Sequence, residues 1–145
     1  MLGRKTYTAA EIENGHETIH DLLSTHDRLV TAFASNPAGE VPAALNDFDP
    51  LFFNGLVLVL DRLYVHRVRL VTGKDNHALN EVELLADSLL NHGGVFNAGT
   101  VVKCDPSTSV VGLAPGDAIR LSAEQFRRLA EAFFAELEKR FAETD

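Results

Sequence analysis

PLFFNGLVLVLDRLYVHRVRLV, residues 50–71, is the most apolar run in the chain, and it decides the fold. Asp49 and Pro50 are typical of a helix start, because Asp accepts from free first-turn N–H groups and Pro needs no bond there. Gly73 marks the end, since glycine readily adopts the left-handed conformation that often follows a helix. The stretch therefore predicts a helix over 50–71, roughly 33 Å long at about 1.5 Å per residue.

The first half of this helix is apolar on almost every side. Between residues 51 and 60, only Asn54 and Gly55 interrupt the apolar run, and such a helix is normally buried. A membrane span is excluded by Asp61 and Arg62, which leave about ten apolar residues where about twenty are needed. Gly55 costs about 1 kcal/mol relative to alanine. We expect the helix to tolerate it if another backbone crosses closely there.

Length and charge limit the classes of protein to consider. A chain of 145 residues predicts a single domain, residues 1–145. A net charge of −8 argues against a nucleic-acid partner, which requires a basic face. The cluster of Arg62, Arg67, Arg69 and Lys74 is interpreted as a solvated helix end. One cysteine and no apolar signal segment predict a cytoplasmic protein with neither a disulfide nor a membrane partner.

Three amphipathic helices are predicted around the central one. In the first, Thr8-x-x-Glu11 and Asn14-x-x-Glu17 are both capping boxes. Either one helix runs through Asn14-Gly15, or the main helix begins at Asn14. The second interpretation is preferred, because Asn-Gly is unfavourable inside a helix. The other predicted elements are a loop over 35–49, a helix opened by a capping box at 80–83 and ended by 92–94, and a last helix over 122–141 capped by Ser122 and Gln125. The last helix is predicted to bury one apolar stripe, which consists of Phe126, Leu129, Ala130, Phe133, Phe134, Leu137 and Phe141.

Residues 95–121 differ in composition from the rest of the chain. They are rich in Gly, Pro, Ser, Thr and Val, and short extended pieces are predicted over 100–104, 109–113 and 118–121. We expect a small β-hairpin or an ordered loop before the last helix. The predicted fold is therefore mainly α, a four-helix bundle-like domain packed around the apolar helix 50–71.

Histidines on the first helix suggest a metal site. His16 and His20 are four residues apart and project from one helix face, and Glu17-x-x-His20 has the spacing used in carboxylate-bridged di-iron bundles. Asp61 or His66 of the central helix could complete a site for Fe, Mn or Zn. Against this, the last helix contains no histidine, and Asp61 and His66 lie about 140° apart around a helix. A divalent metal is therefore an alternative, and no cofactor is predicted.

A polar stripe on the central helix suggests either a buried network or a ligand pocket. Asn54 and Asp61 are seven residues apart and share one side of the helix, and buried polar groups require partners. The network interpretation is preferred. If a small-molecule pocket exists, Asn54, Asp61, Tyr64 and His26 are the residues predicted to line it, because sites in bundles often lie between helices.

Three functional hypotheses follow. The first is a soluble helical binding or assembly module without catalytic activity, forming a homodimer, since the chain has more apolar helix than one small bundle needs. The second is a metal-binding helical bundle. The third is a small hydrolase or isomerase that uses Asp61 with His26 or His66. Whether the protein is an enzyme stays open, because the sequence contains no nucleophile motif, phosphate loop or dinucleotide motif.

Overall fold

The computed structural model describes residues 3–35, 39–67, 69–99 and 105–144, with the side chains of residues 69 and 70 excluded. The described chain is mainly α-helical, as predicted. Four long helices and one short one pack around a shared hydrophobic core. The helices are α1 (Ala9–Ala34), α2 (Val41–Leu63), α3 (Arg69–Thr72), α4 (Ala78–Asn91) and α5 (Ala123–Phe141).

The apolar helix α2 contacts all three of the other long helices. Phe53, Val57 and Leu60 on its inner side are completely buried. The stripe predicted for the last helix is confirmed in α5, whose fully or almost fully buried residues are Phe126, Leu129, Ala130, Phe133, Phe134, Leu137 and Phe141. Since α5 also contacts all three of the other long helices, α2 and α5 share the centre of the bundle. The expectation that the apolar half of the central helix is buried on almost every side is wrong, because Leu51 is 73 % exposed.

The predicted start of the central helix at Pro50 is wrong. The helix begins at Val41, and Pro50 lies inside it, so most of the predicted loop 35–49 is helical. Pro42, in the first turn, is the proline whose missing N–H loses no hydrogen bond. Leu45 and Phe48 continue the apolar pattern toward the N-terminus, so the sequence contains a second start signal, Pro42, eight residues before Pro50.

The predicted end of the central helix is also wrong, since α2 stops at Leu63. The Tyr64 carbonyl oxygen accepts from Arg67 Nη1 at 2.9 Å and from the Tyr7 hydroxyl at 3.4 Å. The His66 carbonyl oxygen accepts from the Arg4 backbone N–H at 2.7 Å. Side chains and the N-terminal segment thus satisfy groups that a longer helix would have bonded internally.

The first helix begins at Ala9, so the preferred start at Asn14 is wrong. Both bonds of the capping box between Thr8 and Glu11 are formed, and the helix continues through Gly15. Gly15 is buried, and a Cβ atom there would overlap the hydroxyl group of Tyr64. The glycine is therefore explained by a close contact with the end of α2, and it does not mark a helix boundary.

The segment before α5 is an ordered loop, one of the two predicted alternatives. Within residues 95–99 and 105–121 no named strand forms, and Val95 and Ala118 make a single antiparallel bridge. The Phe96 N–H donates to the Asp117 carbonyl oxygen at 2.8 Å, and this hydrogen bond holds residues 95–96 against residues 117–118. The extended piece predicted at 100–104 lies outside the described residues.

The N-terminal segment pairs with the end of α5. The Tyr7 N–H donates to the Phe141 carbonyl oxygen at 2.6 Å, and the Glu143 N–H donates to the Tyr7 carbonyl oxygen at 3.1 Å. Tyr7 is buried, and its ring lies 5.9 Å from that of Phe141. Residues 7 and 142 therefore form a short parallel bridge that joins the two ends of the described chain.

Candidate functional site

Asn54, the first residue of the predicted pocket, binds backbone groups of the ordered loop. Its Nδ2 donates to the Ile119 carbonyl oxygen at 2.7 Å, and its Oδ1 accepts from the Leu121 N–H at 3.2 Å. Ile119 and Leu121 are both buried. Because a side-chain amide offers one donor and one acceptor side by side, Asn54 substitutes for a strand partner and attaches the loop to α2.

Asp61 lies beside a buried arginine. The Asp61 Oδ1 is 3.5 Å from Arg67 Nη2, and Glu83 Oε2 is 3.9 Å from the same nitrogen. Arg67 is only 8 % exposed, so the interpretation of this residue as part of a solvated helix end is wrong. A small cavity of about 120 Å³ is lined by Asp61, Val65, Arg67, Thr72 and Glu83. Two carboxylates therefore lie near the buried guanidinium group of Arg67. A charged group that is removed from water is stable only when it is paired in this way.

Tyr64, at the C-terminal end of α2, connects α2 to α1 through hydrogen bonds. Its hydroxyl donates toward the carbonyl oxygens of Glu11, at 3.1 Å, and Ile12, at 3.4 Å. Its ring meets Tyr7 edge-on with centroids 5.1 Å apart. Burial, with smaller contributions from Tyr7 and Glu11, raises the pKa of Tyr64 to about 12. The residue is therefore a neutral hydrogen-bond donor over the physiological range.

His26 is buried and pairs with the first half of α2. Its Nε2 is 2.8 Å from Asp49 Oδ1, and its ring stacks on Phe52 with centroids 5.4 Å apart. Asp49, predicted as a helix cap, lies inside α2 and instead binds this histidine. The four predicted pocket residues thus occupy four separate positions, each with a polar partner among the described residues.

The predicted metal ligands are divided between two regions. His16 and His20 line a groove of about 240 Å³ between α1 and α5, where His16 Nε2 is 3.1 Å from Glu138 Oε1 and its ring stacks on Phe134. Asp61 lies beside Arg67, and His66 is exposed beyond the end of α2. Across the described ranges, no three His, Cys, Asp or Glu side chains are close enough to share a metal ion.

Glu81 is a buried carboxylate whose burial and partners the sequence does not indicate. Its carboxylate accepts from the N–H groups of Val110, at 2.9 Å, and Val111, at 3.1 Å, and from the Ser109 hydroxyl. The capping box predicted at 80–83 does not form, because α4 already begins at Ala78. A buried carboxylate requires donors, but nothing near position 81 in sequence indicates that they come from residues about thirty positions away.

The side of α2 that points away from the core is apolar and exposed. At about 100° per residue, this side is centred on Gly55, opposite the buried Phe53, Val57 and Leu60. Leu51 is 73 % exposed and Phe48 is 43 % exposed. We call this surface the outer face of α2. Its exposed residues are Phe48, Leu51 and Arg62, and its half-buried residues are Phe52, Gly55, Leu58 and Val59.

Gly55 has no steric reason within the described chain. A Cβ atom built on it would meet nothing within 4 Å outside its own helix, so the expected close crossing by another backbone is not made by a described residue. Glycine in mid-helix is nonetheless unfavourable by about 1 kcal/mol relative to alanine. Contacts among the described residues therefore account for Gly15 but give no reason for Gly55.

By length and composition, α2 could also cross a membrane. Its mean hydropathy reaches 1.3, and only 22 % of the tested window is buried. The predicted helix 50–71 is too short in apolar residues to span a membrane. The observed helix α2 meets the length and composition criteria because it begins at Val41 and so includes more apolar residues before Asp61. Core helices of soluble proteins pass the same test, so this is weak support for a span.

Comparison with known proteins provides no further guide to the site. No family model, no curated protein and no solved structure matches this chain.

Proposed function

We propose that the protein is a soluble helical assembly module that forms a homodimer through the outer face of α2 and acts by association rather than catalysis. The observation that carries the proposal is the exposure of this face, in which Leu51 is 73 % and Phe48 43 % exposed. Contiguous apolar surface on a soluble protein typically marks an interaction site.

The position of the outer face favours a second copy as the occupant. It lies on the side of α2 opposite the core, so two chains can meet there without disturbing their own bundles. A surface that meets its own copy across a two-fold axis forms a closed pair, which is the commonest form of soluble oligomer. Burial of apolar surface is the dominant favourable contribution in most associations of this kind.

The proposal is tested by measuring molar mass against protein concentration, by light scattering and sedimentation equilibrium. The wild-type chain is expected to change from monomer to dimer as concentration rises. Leu51→Lys should shift this transition to higher concentration by at least tenfold, because it places a charge in the interface. A wild-type chain that stays monomeric at every accessible concentration would contradict the proposal.

Leu90→Lys is the matched control for this variant. Leu90 is 68 % exposed near the C-terminal end of α4, on a different helix from Leu51. The substitution changes the same residue type to the same charge at nearly equal exposure. It should leave the monomer–dimer transition unchanged, and an equal effect of both variants would show that net charge, rather than the outer face, controls association.

Sedimentation with phospholipid vesicles distinguishes a dimer surface from a membrane surface. The proposal expects the wild-type chain to stay in the supernatant with vesicles of neutral or anionic lipid. Binding that is lost in Leu51→Lys, together with a monomeric mass in solution, would instead assign the outer face of α2 to a lipid surface.

A further inference from the structure

We infer that the two α2 helices of the dimer cross in antiparallel orientation at Gly55, with Arg62 of each protomer beside Asp47 of the other. The inference rests on the proposed dimer and specifies its geometry. It depends on three features of the outer face: the open space at Gly55, the arrangement of apolar residues around it, and the opposite charges at its two ends.

Gly55 supplies the point of closest approach. It is the residue at the centre of the outer face, and the space where its Cβ would lie is empty. Glycine lets the backbones of two crossing helices come closer than any other residue does. A second helix that occupies this space would explain a glycine for which the described part of the chain provides no reason.

The residues on either side of Gly55 match under a two-fold axis. At about 100° per residue, Leu51 and Leu58 lie on one flank of Gly55, and Phe52 and Val59 lie on the other. A two-fold axis at Gly55 reverses the helix and keeps each flank on its own side. Leu51 then meets Leu58 of the second copy, and Phe52 meets Val59 of the second copy, so that every large apolar residue near the axis has an apolar partner.

The charges at the two ends of the face favour the antiparallel orientation. Asp47 and Arg62 are both exposed and lie eight residues before and seven residues after Gly55, on the same flank. At about 1.5 Å per residue, both are roughly 10–12 Å from the crossing point. Antiparallel pairing places each Arg62 beside an Asp47, whereas parallel pairing places like charges together, which is unfavourable.

Cysteine cross-linking tests the orientation. In a chain whose only cysteine, Cys104, is replaced by serine, Leu51→Cys and Leu58→Cys are prepared separately and oxidised alone or as a mixture. Antiparallel crossing expects a 51–58 disulfide in the mixture and little product from either variant alone, because disulfides require Cα atoms roughly 4.4–6.8 Å apart. Efficient self-linking of each variant would show parallel helices and overturn the inference while leaving the dimer intact.

Charge exchange tests the ion pair. Arg62→Asp and Asp47→Arg, each alone, should raise the dimer dissociation constant by at least tenfold, and the double variant should recover most of the wild-type value. Arg128→Asp is the matched control, since Arg128 is exposed on α5 and the change in net charge is the same. Additive losses in the double variant would overturn the pairing of these two residues.

Gly55→Ala is expected to affect the stability of the monomer and the stability of the dimer in opposite directions. It should raise the thermal stability of the monomer, since alanine favours the helix and the space is open, and it should raise the dimer dissociation constant at least tenfold. A variant that stabilises the fold and dimerises as well as wild type would overturn the crossing at Gly55. A wild-type chain that never dimerises would contradict the proposed function itself, and a dimer without any 51–58 disulfide would place the interface elsewhere.

Discussion

Tyr64 fills the space that the absent side chain of Gly15 leaves on α1. A Cβ atom on Gly15 would overlap the Tyr64 hydroxyl oxygen and would lie 2.9 Å from the ring carbon that carries it. The same hydroxyl donates toward two carbonyl oxygens of α1. One small residue in α1 therefore allows the end of α2 to dock against the backbone of its neighbour.

Gly15→Ala is expected to destabilise the fold. Alanine gains about 1 kcal/mol of helix propensity, but a forced shift of a buried ring costs typically about 1–3 kcal/mol. Tyr64 is only 3 % exposed and cannot move outward freely, so we expect a net loss in the free energy of unfolding measured with denaturant. The same substitution at Gly55, where the space is open, should stabilise the monomer, and an equal gain at both positions would contradict this account.

A double variant isolates the contact between these residues. Tyr64→Phe alone should cost about 1 kcal/mol, because it removes a hydroxyl that bonds to backbone carbonyls. It also removes the atom closest to the added methyl group. Gly15→Ala combined with Tyr64→Phe should therefore be more stable than the sum of the two single losses predicts, and strict additivity would show that the two residues do not interact.

Both tyrosines are expected to titrate above their ordinary range. Burial raises the pKa of Tyr7, and it raises the pKa of Tyr64 to about 12. The pKa of each folded-state tyrosine exceeds the unfolded value of about 10, so the neutral tyrosines stabilise the folded state. This contribution to the free energy of unfolding is fully present below about pH 10 and is lost as the pH rises toward about 12. The chain contains two Tyr and no Trp, so tyrosinate absorbance reports these residues alone. Tyr7→Phe isolates Tyr64, and a folded-state midpoint near 10 in that variant would contradict the prediction.

Removing the Asn54 amide should release the loop before α5. Asn54→Ala leaves a buried carbonyl oxygen and a buried N–H without their present partner, at a cost of about 1–3 kcal/mol. Hydrogen exchange at the Leu121 amide should accelerate beyond what the global loss of stability explains. Asn46→Ala, an exposed position on the same helix, is the control and should change stability by no more than about 0.5 kcal/mol. Unchanged exchange at Leu121 would show that the loop is held by other contacts.

Glu11 should contribute to stability in a pH-dependent way. Hydrogen bonds from the Arg4 side chain, and then from the Thr8 backbone, lower the pKa of Glu11 to about 2. A lowered pKa means that the contribution is present above pH of about 4.5 and is lost as pH falls toward about 2. Glu11→Gln retains an acceptor for the Thr8 N–H and removes the charge. The stability difference between wild type and this variant should shrink over that interval, whereas a constant difference would contradict the prediction.

Local signals in the sequence predicted that four long helices form, but they placed several of the helix ends wrongly. The capping boxes opened by Thr8 and Ser122 both form, and the periodic apolar residues of α5 are buried as expected. These features depend on residues three or four positions apart, so they can be predicted from short stretches of the sequence. The helix ends of α2 were misplaced because Pro42 and Pro50 both look like starts, and because the end at Leu63 depends on contacts from Arg67 and distant residues.

The polar residues of the central helix were recognised, but their partners were not. Asn54 binds residues about 65 positions away, and Tyr64 binds residues more than 50 positions away. Arg67 and Glu81 are buried although their residue types are usually exposed. Periodicity shows which side of a helix a residue occupies, while the group that meets it is decided by how the helices pack.

The pairing of Tyr7 with Phe141 and Ala142 has a consequence for the order of folding. Contacts between these positions close a loop of nearly the whole described chain, and the entropic cost of such closure rises only slowly with length. During synthesis, however, Tyr7 leaves the ribosome long before Phe141 exists. The N-terminal segment must therefore remain without its α5 partner until translation has passed residue 142, and its docking onto α5 is expected to follow the packing of α1 against α2, whose residues are made earlier.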